Sequence, residues 1–207
     1  MKKIRWIIIV IGVMLCILLL LRLSTVSVIK SNLLEGRYKA EYDISDYYVE
    51  LMRSYIEIND CWDPIYREMY LTLNDDGTYV METDYDQLRD NIWNWLKDYD
   101  DELLLGMTEV VSIEQATQIA ESQNMTYEEY KAEFMKEYKK GFDYGFEQNI
   151  DAGKELWDGS GSYTYDEKEV ELRDTDAKII IGTIDGTDIT IYSADFRPIV
   201  YKKINEE

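Results

Sequence analysis

Met69-Tyr70-Leu71-Thr72-Leu73-Asn74-Asp75-Asp76-Gly77-Thr78-Tyr79-Val80-Met81-Glu82 is the stretch whose reading decides the fold. Met69, Leu71 and Leu73 recur at every second position, the side-chain period of a strand with one apolar face. Asn74-Asp75-Asp76-Gly77 supplies a turn, in which Gly77 can take the positive φ that such a loop demands. Thr78 to Glu82 then returns along the first strand. The spacing predicts an antiparallel hairpin over Tyr66 to Glu82.

Upstream, Leu34, Gly36, Tyr38, Ala40 and Tyr42 alternate with polar residues, which predicts a half-buried first strand. Ser45 is placed to cap a short helix with Tyr48, Leu51, Met52 and Tyr55 on one face, ending before Pro64.

Downstream, the period changes from 2 to 3.6. Asp84 with Gln87, Ser112 with Gln115, and Thr126 with Glu129 each form a capping box directly before an apolar periodicity. The first helix shows Tyr85, Leu88, Ile92, Trp95, Leu96 and Tyr99 on one face, with Gly106 as its stop. The second carries Ile113, Ala116, Ile119 and Ala120 and ends near Asn124. The third carries Tyr127, Tyr130, Phe134, Tyr138, Phe142 and Phe146. Gly141 and Gly145 thin that last helix, as a close-packing face, a kink or a weak end.

From Gly159 the chain returns to strands: Ser162 to Tyr165, Lys168 to Arg173, Lys178 to Ile184, Thr187 to Tyr192 and Pro198 to Ile204. Val170 and Leu172 face inward, and Asp185-Gly186 is a strong two-residue hairpin signal. The expected class is α+β: an antiparallel β-meander or small barrel with a helical insert at 84–150 in one connection.

These elements resemble the lipocalin-like, membrane-anchored extracytoplasmic proteins of Gram-positive bacteria. The resemblance rests on Gly36-Arg37-Tyr38 in the first strand and the hairpin Leu73 to Tyr79. Gly161-Ser162-Tyr163 and the basic last strand Val200-Tyr201-Lys202-Lys203-Ile204 add to it. It spans about residues 33 to 205, with Tyr38 where true lipocalins carry Trp and with a large insertion. It implies a lipocalin-like barrel.

Before the first strand lies an almost wholly apolar run from Ile4 to Leu23, free of charge between Ile7 and Leu21. Roughly 20 such residues at about 1.5 Å each span a hydrocarbon core of about 30 Å. Lys2, Lys3 and Arg5 before the run, against Arg22 and Lys30 after it, keep the N-terminus inside. The expected organisation is a cytoplasmic tip (1–5), a transmembrane signal-anchor (6–23), a stem (24–32) and an extracytoplasmic domain (33–207). A cleaved signal peptide is the rival, but Thr25-Val26-Ser27 is a poor cleavage site without alanine. The chain is therefore expected in the cell membrane, single-pass, with the membrane as partner through residues 6–23.

From Glu35 onward 17 Lys and Arg stand against 42 Asp and Glu. So negative a domain repels nucleic acid, which excludes DNA or RNA as partner. With no histidine in the chain, triads and zinc sites built on imidazole are ruled out. Asn74-Asp75-Asp76-Gly77 and Asp98-Tyr99-Asp100-Asp101 lack calcium-hand spacing, so no metal ligand is assigned. No catalytic residue or cofactor is assigned either. Cys61, the one external cysteine, has no partner within the domain and is either a free thiol or a link between chains.

Aromatics remain the candidate binding residues: Trp93, Trp62 and Trp157. Trp93 stands roughly 160° from Trp95 on a helix, so it is either exposed beside Asn91 and Asn94 or covered by another element. The function expected is a membrane-tethered binding or interaction module. Its meander would hold a small apolar ligand, or its helical insert would meet a protein partner. The alternative is a carboxylate-dependent enzyme acting on cell-wall glycans, which needs two acids about 5 to 10 Å apart in a concave pocket.

Overall fold

The structure, a computed structural model, describes residues 34–58, 62–176, 178–192 and 197–204. The anchor expected at 6–23, the stem at 24–32 and Cys61 lie outside the described residues. Among the described residues no helix is long and apolar enough to cross a membrane.

Eight antiparallel strands close into one up-and-down barrel in strict sequence order. They are β1 (Gly36–Asp43), β2 (Tyr66–Leu73), β3 (Thr78–Thr83), β4 (Gly159–Tyr165), β5 (Glu169–Asp174), β6 (Ile179–Asp185), β7 (Asp188–Tyr192) and β8 (Pro198–Ile204). The period-2 pattern sets the register. Tyr38 pairs with Leu71 and Ala40 with Met69 across β1 and β2, while Leu73 pairs with Tyr79 across the hairpin. Gly77 turns that hairpin at φ 81°. β8 closes the ring onto β1 through Arg37 opposite Ile204, so the sheet has no free edge.

Side chains fill the barrel. Tyr38, Leu71, Val170, Leu172 and Ile189 have no accessible surface at all. A side chain bordering a water-sized void would keep some, so none adjoins these residues. The fully buried Tyr79 and Tyr201 complete a core in which bulky rings occupy the space a ligand would need.

The helices interrupt two connections. α1 (Ser45–Met52) joins β1 to β2, and α2 (Tyr85–Lys97), α3 (Asp100–Met107), α4 (Ile113–Ser122) and α5 (Tyr127–Trp157) join β3 to β4. Asp84 accepts the Gln87 N–H and Ser112 the Gln115 N–H, but neither pair completes the expected capping box: Gln87 Oε1 has no partner among the described residues and Gln115 Oε1 accepts the Val111 N–H instead. Thr126 and Glu129 exchange both bonds of a capping box, which satisfies backbone donors that have no partner inside a helix. Val49, Met52, Ile65, Leu88, Ile92 and Leu103 form a second core beneath Phe134, Tyr138 and Phe142 of α5.

Four further expectations are corrected. Ser45 does not cap α1 with its side chain. Its hydroxyl donates to Asp43 Oδ1 at 2.5 Å and accepts the Ile65 N–H at 2.7 Å, tying the helix start to the strand that follows. The buried face of that segment is accordingly Val49, Met52 and Ile56, with Leu51 and Tyr55 exposed. The helix expected to run to Gly106 ends at Lys97, and a separate helix, α3, stops at Met107, one residue past Gly106, where a Cβ would collide with the Tyr55 carbonyl oxygen. The last helix runs on to Trp157 rather than ending at 150, and a Cβ on Gly141 or Gly145 would meet nothing within 4 Å. Close packing is therefore not their purpose.

Candidate functional site

Trp93 projects from α2 into an open groove of about 710 Å³ between α2 and α5. Its ring is half-buried and lies 5.7 Å from Phe142 and 6.3 Å from Tyr138, centroid to centroid. Ala132 and Met135 of α5 add apolar surface, while Lys97, Lys131, Lys136, Lys139 and Lys140 supply ammonium groups. The sequence folds this way because α5 carries its aromatics at intervals of three and four, directing them onto α2. The intervening lysines then lay their stems along the apolar floor with their heads in water.

The groove is polarised by paired charges. Lys139 Nζ stands 5.1 Å from the Trp93 ring centroid and donates to Asp143 at 2.7 Å. Lys131 bridges Asp101 at 2.9 Å, Asp100 at 3.2 Å and Glu128 at 3.5 Å. Burial alone would lower the Lys131 pKa, but its hydrogen bonds to Asp101 and Asp100 outweigh that and raise it. Asp101 is held below the usual carboxylate range, first by the Tyr127 hydroxyl that donates to it and then by Lys131. Lys97 has no carboxylate within ion-pair distance among the described residues, so its charge faces the groove uncompensated.

Trp157 lies elsewhere. It ends α5 against the barrel core, 6.4 Å from Tyr42, and stacks on a buried cation. The guanidinium carbon of Arg67 sits 3.7 Å from the Trp157 ring centroid and 5.4 Å from that of Tyr42. Arg67 is only 4% exposed, and its Nε and Nη2 find no hydrogen-bond partner among the described residues. Burial pulls its pKa down, while nearby tyrosines, Tyr201 foremost, push it back up. An arginine stays charged in a protein. The Trp157 and Tyr42 ring faces compensate this charge, a contact worth about 2 kcal/mol or more once desolvated.

Trp62 is half-buried against the helical core, with the Arg53 guanidinium 5.4 Å from its ring. The three tryptophans therefore do not converge: Trp157 packs on the barrel core, and Trp62 and Trp93 on the helical one. Asn91 and Asn94, neighbours of Trp93 in sequence, line a different pocket. Sequence reasoning missed the lysines, because Lys97 and the Lys131–Lys140 series meet only when two helices pack. It also missed Arg67, although that residue falls in phase with Met69, Leu71 and Leu73.

Among the described residues no group of three or more His, Cys, Asp or Glu could hold a metal ion. The groove's chemistry is stacking on Trp93 and attraction of negative charge. No protein-family model matches the chain, and no curated protein and no solved structure matches it either.

Proposed function

We propose that this chain is a membrane-tethered extracytoplasmic binding module, lipocalin-like in its barrel, that takes a protein partner on its helical insert. The anchor is the apolar run at 6–23. One observation carries the choice of surface. The barrel interior is closed around Tyr38, Leu71 and Leu172, whereas the groove over Trp93 stands open. A small apolar ligand inside the barrel would have to displace packed rings, so the helical insert is the better-supported surface.

The partner's chemistry follows from the lining. An apolar side chain covers Trp93 and Met135, and acidic side chains meet the ammonium groups, Lys97 first. Five of the 17 basic residues after Glu35 line this one groove, against three of the 42 acids, Asp100, Glu128 and Asp143, so an acidic partner meets less repulsion here than on a surface of average composition. A half-exposed tryptophan among charged side chains is also the usual make-up of an interface anchor.

The test is photo-crosslinking in intact cells from a probe placed at Met135. A discrete adduct that disappears in Trp93→Ala, with the domain still folded, supports the reading. An adduct unchanged by Trp93→Ala, or no adduct at all, refutes it. Protease applied to the same cells should remove the domain, since it is expected outside the membrane.

A further inference from the structure

We infer that the groove over Trp93 takes an acidic amphipathic helix of about four turns, laid along α5 so that α2, α5 and the partner form one three-helix layer. The inference rests on the protein-binding role proposed for that groove and adds the partner's shape and residue pattern.

The groove has a direction and a length. Arg89 meets Glu147 at 3.6 Å, the Trp93 ring lies 5.7 Å from Phe142, and Asp100 meets Lys131 at 3.2 Å. Numbers rise along α2 and α3 as they fall along α5, so the two walls run antiparallel. On α5 the lining extends from Glu128 to Asp143, about 22 Å at about 1.5 Å per residue.

The walls favour a helix over an extended chain. Every lining residue belongs to α2, α3 or α5, and mid-helix backbone groups bond within their own helix. The barrel, closed through all eight strands, has no edge to pair with. An extended segment would therefore find no ladder for its N–H and C=O groups, whereas a helix satisfies them internally.

The floor sets the pattern. Trp93 stands abreast of Lys139, whose Nζ is 5.1 Å from its ring. Met135 and Ala132 follow one and two turns along α5 towards its start. Apolar side chains at i, i+3 or i+4, and i+7 of the partner match these three, with the bulkiest over Ala132, the smallest residue of the lining. Ammonium groups flank this floor: Lys97 on α2, and Lys136 and Lys140 on the side of α5 turned away from α2. Lys131 and Lys139 are already held by Asp101 and Asp143. Lys97 has no such partner among the described residues, and the exposed pairs of Lys136 with Glu133 and Lys140 with Glu137 exchange at little cost. Acids on both flanks of the apolar stripe therefore complete the partner's face.

The experiment uses the full chain in zwitterionic nanodiscs, with empty discs as the blank, and two labelled peptides of about 16 residues. Both carry leucine at i, i+3 and i+7 with glutamate on each flank. One is locked as a helix by a side-chain staple, and the other has two central positions changed to proline. Inorganic polyphosphate is the charged control without an apolar face. By fluorescence anisotropy the locked helix should bind at least about ten-fold tighter than the proline peptide. Trp93→Ala should weaken it about ten-fold, and Lys97→Gln, an exposed change that leaves the fold intact, should weaken it less. Equal affinity for the two peptides, no binding of either, or helix binding indifferent to both variants overturns the inference. So does polyphosphate that competes with the helix as well in Trp93→Ala as in the wild type. The Met135 adduct in cells separates the two levels. An adduct lost in Trp93→Ala beside a failing helix peptide leaves a partner of another shape, whereas no adduct removes the protein-binding role itself.

Discussion

Five residues on four strands of the barrel, Tyr38, Leu71, Val170, Leu172 and Ile189, have no accessible surface, whereas α5 buries none of its 31 residues. The two regions solve the same problem differently. The barrel closes on itself, so most inward side chains are covered from all sides, with Met81, Tyr165, Ile180 and Ile184 partly exposed. The helix lies across the outside and covers with one face only, so Phe134, Tyr138 and Phe142 are shielded below and wet at their edges. Stability should thus reside more in the barrel than in α5, although the helices beneath α5 bury Leu103 and Leu104 completely. The helical layer is left free to expose Trp93 and its lysines.

The sharpest attack on that contrast is truncation on each side of it. Leu172→Ala removes a wholly buried side chain and should cost about 2–5 kcal/mol, the range for deletions that leave a cavity. Phe142→Ala removes a larger side chain from a half-covered site that solvent can refill. It should cost less than the full 3–5 kcal/mol of a buried phenylalanine. Urea unfolding of both variants checks this. Equal losses would show that the helical layer is as integral to the core as the barrel.

Next in size is the response to pH, in which the acid arm should mark the helical layer. Burial in the barrel pushes the Tyr38 hydroxyl up to about 12, with Tyr163 and Asp188 adding to it. The unfolded chain ionises near its ordinary value of about 10. The Tyr38 contribution is therefore intact below pH 10 and is lost as pH rises towards 12. In the helical layer Asp101 is depressed by Tyr127 and Lys131. Its contribution is present above the ordinary carboxylate pKa and is lost as pH falls through its lowered value. Acid should thus loosen the α3–α5 contact, while alkali acts on both regions, since burial also raises Tyr48, Tyr85, Tyr127 and Tyr138; near-ultraviolet circular dichroism at both extremes follows this. Tyr38→Phe should blunt the alkaline arm alone.

A smaller effect is expected at the N-terminus of α5. Thr126→Ala removes one arm of the capping box and should cost about 1 kcal/mol. Hydrogen exchange should localise the loosening to the first turn of α5 and leave the amides of β1 and β2 unchanged. Spread into the barrel would mean that the two regions unfold as one.

The same contrast explains what could be read from residues alone. Alternation in β1 and β2 was enough to tell the inward face, because a barrel wall has one inside and one outside and a single-residue slip would invert every side chain. The three capped helix starts were legible for a similarly local reason. What failed depended on contacts between elements. Ser45 has the right side chain for a cap, yet its hydroxyl is taken by Asp43 and by the Ile65 N–H some twenty residues later. Gly106 stands one residue before the end of α3, yet its closeness to the Tyr55 carbonyl and the break after Lys97 depend on packing. Arg67 sits in phase with Met69, and its charge argued against the inward position that the period assigned it. The position of Trp93 off the buried stripe was readable from angle alone, but not the lysines around it, since they arrive from α5.

The gentlest test bears on that last point. Lys97 is exposed in the last turn of α2, where a positive charge is favoured by the helix dipole. Among the described residues it has no carboxylate in ion-pair distance. Lys97→Gln should therefore change stability by no more than about 0.5 kcal/mol, as for most surface substitutions. If the groove serves to attract an acidic partner, the same change should still weaken association, and the salt dependence of binding should shrink with it. Lys136, already 3.1 Å from Glu133, is the matched control: Lys136→Gln removes a charge whose field is largely cancelled and should weaken association less. If the two variants weaken binding equally, net charge alone governs the encounter. If only Lys97→Gln does so, the uncompensated ammonium at the end of α2 is what the partner finds first, and the helical layer, not the barrel, holds the recognition surface.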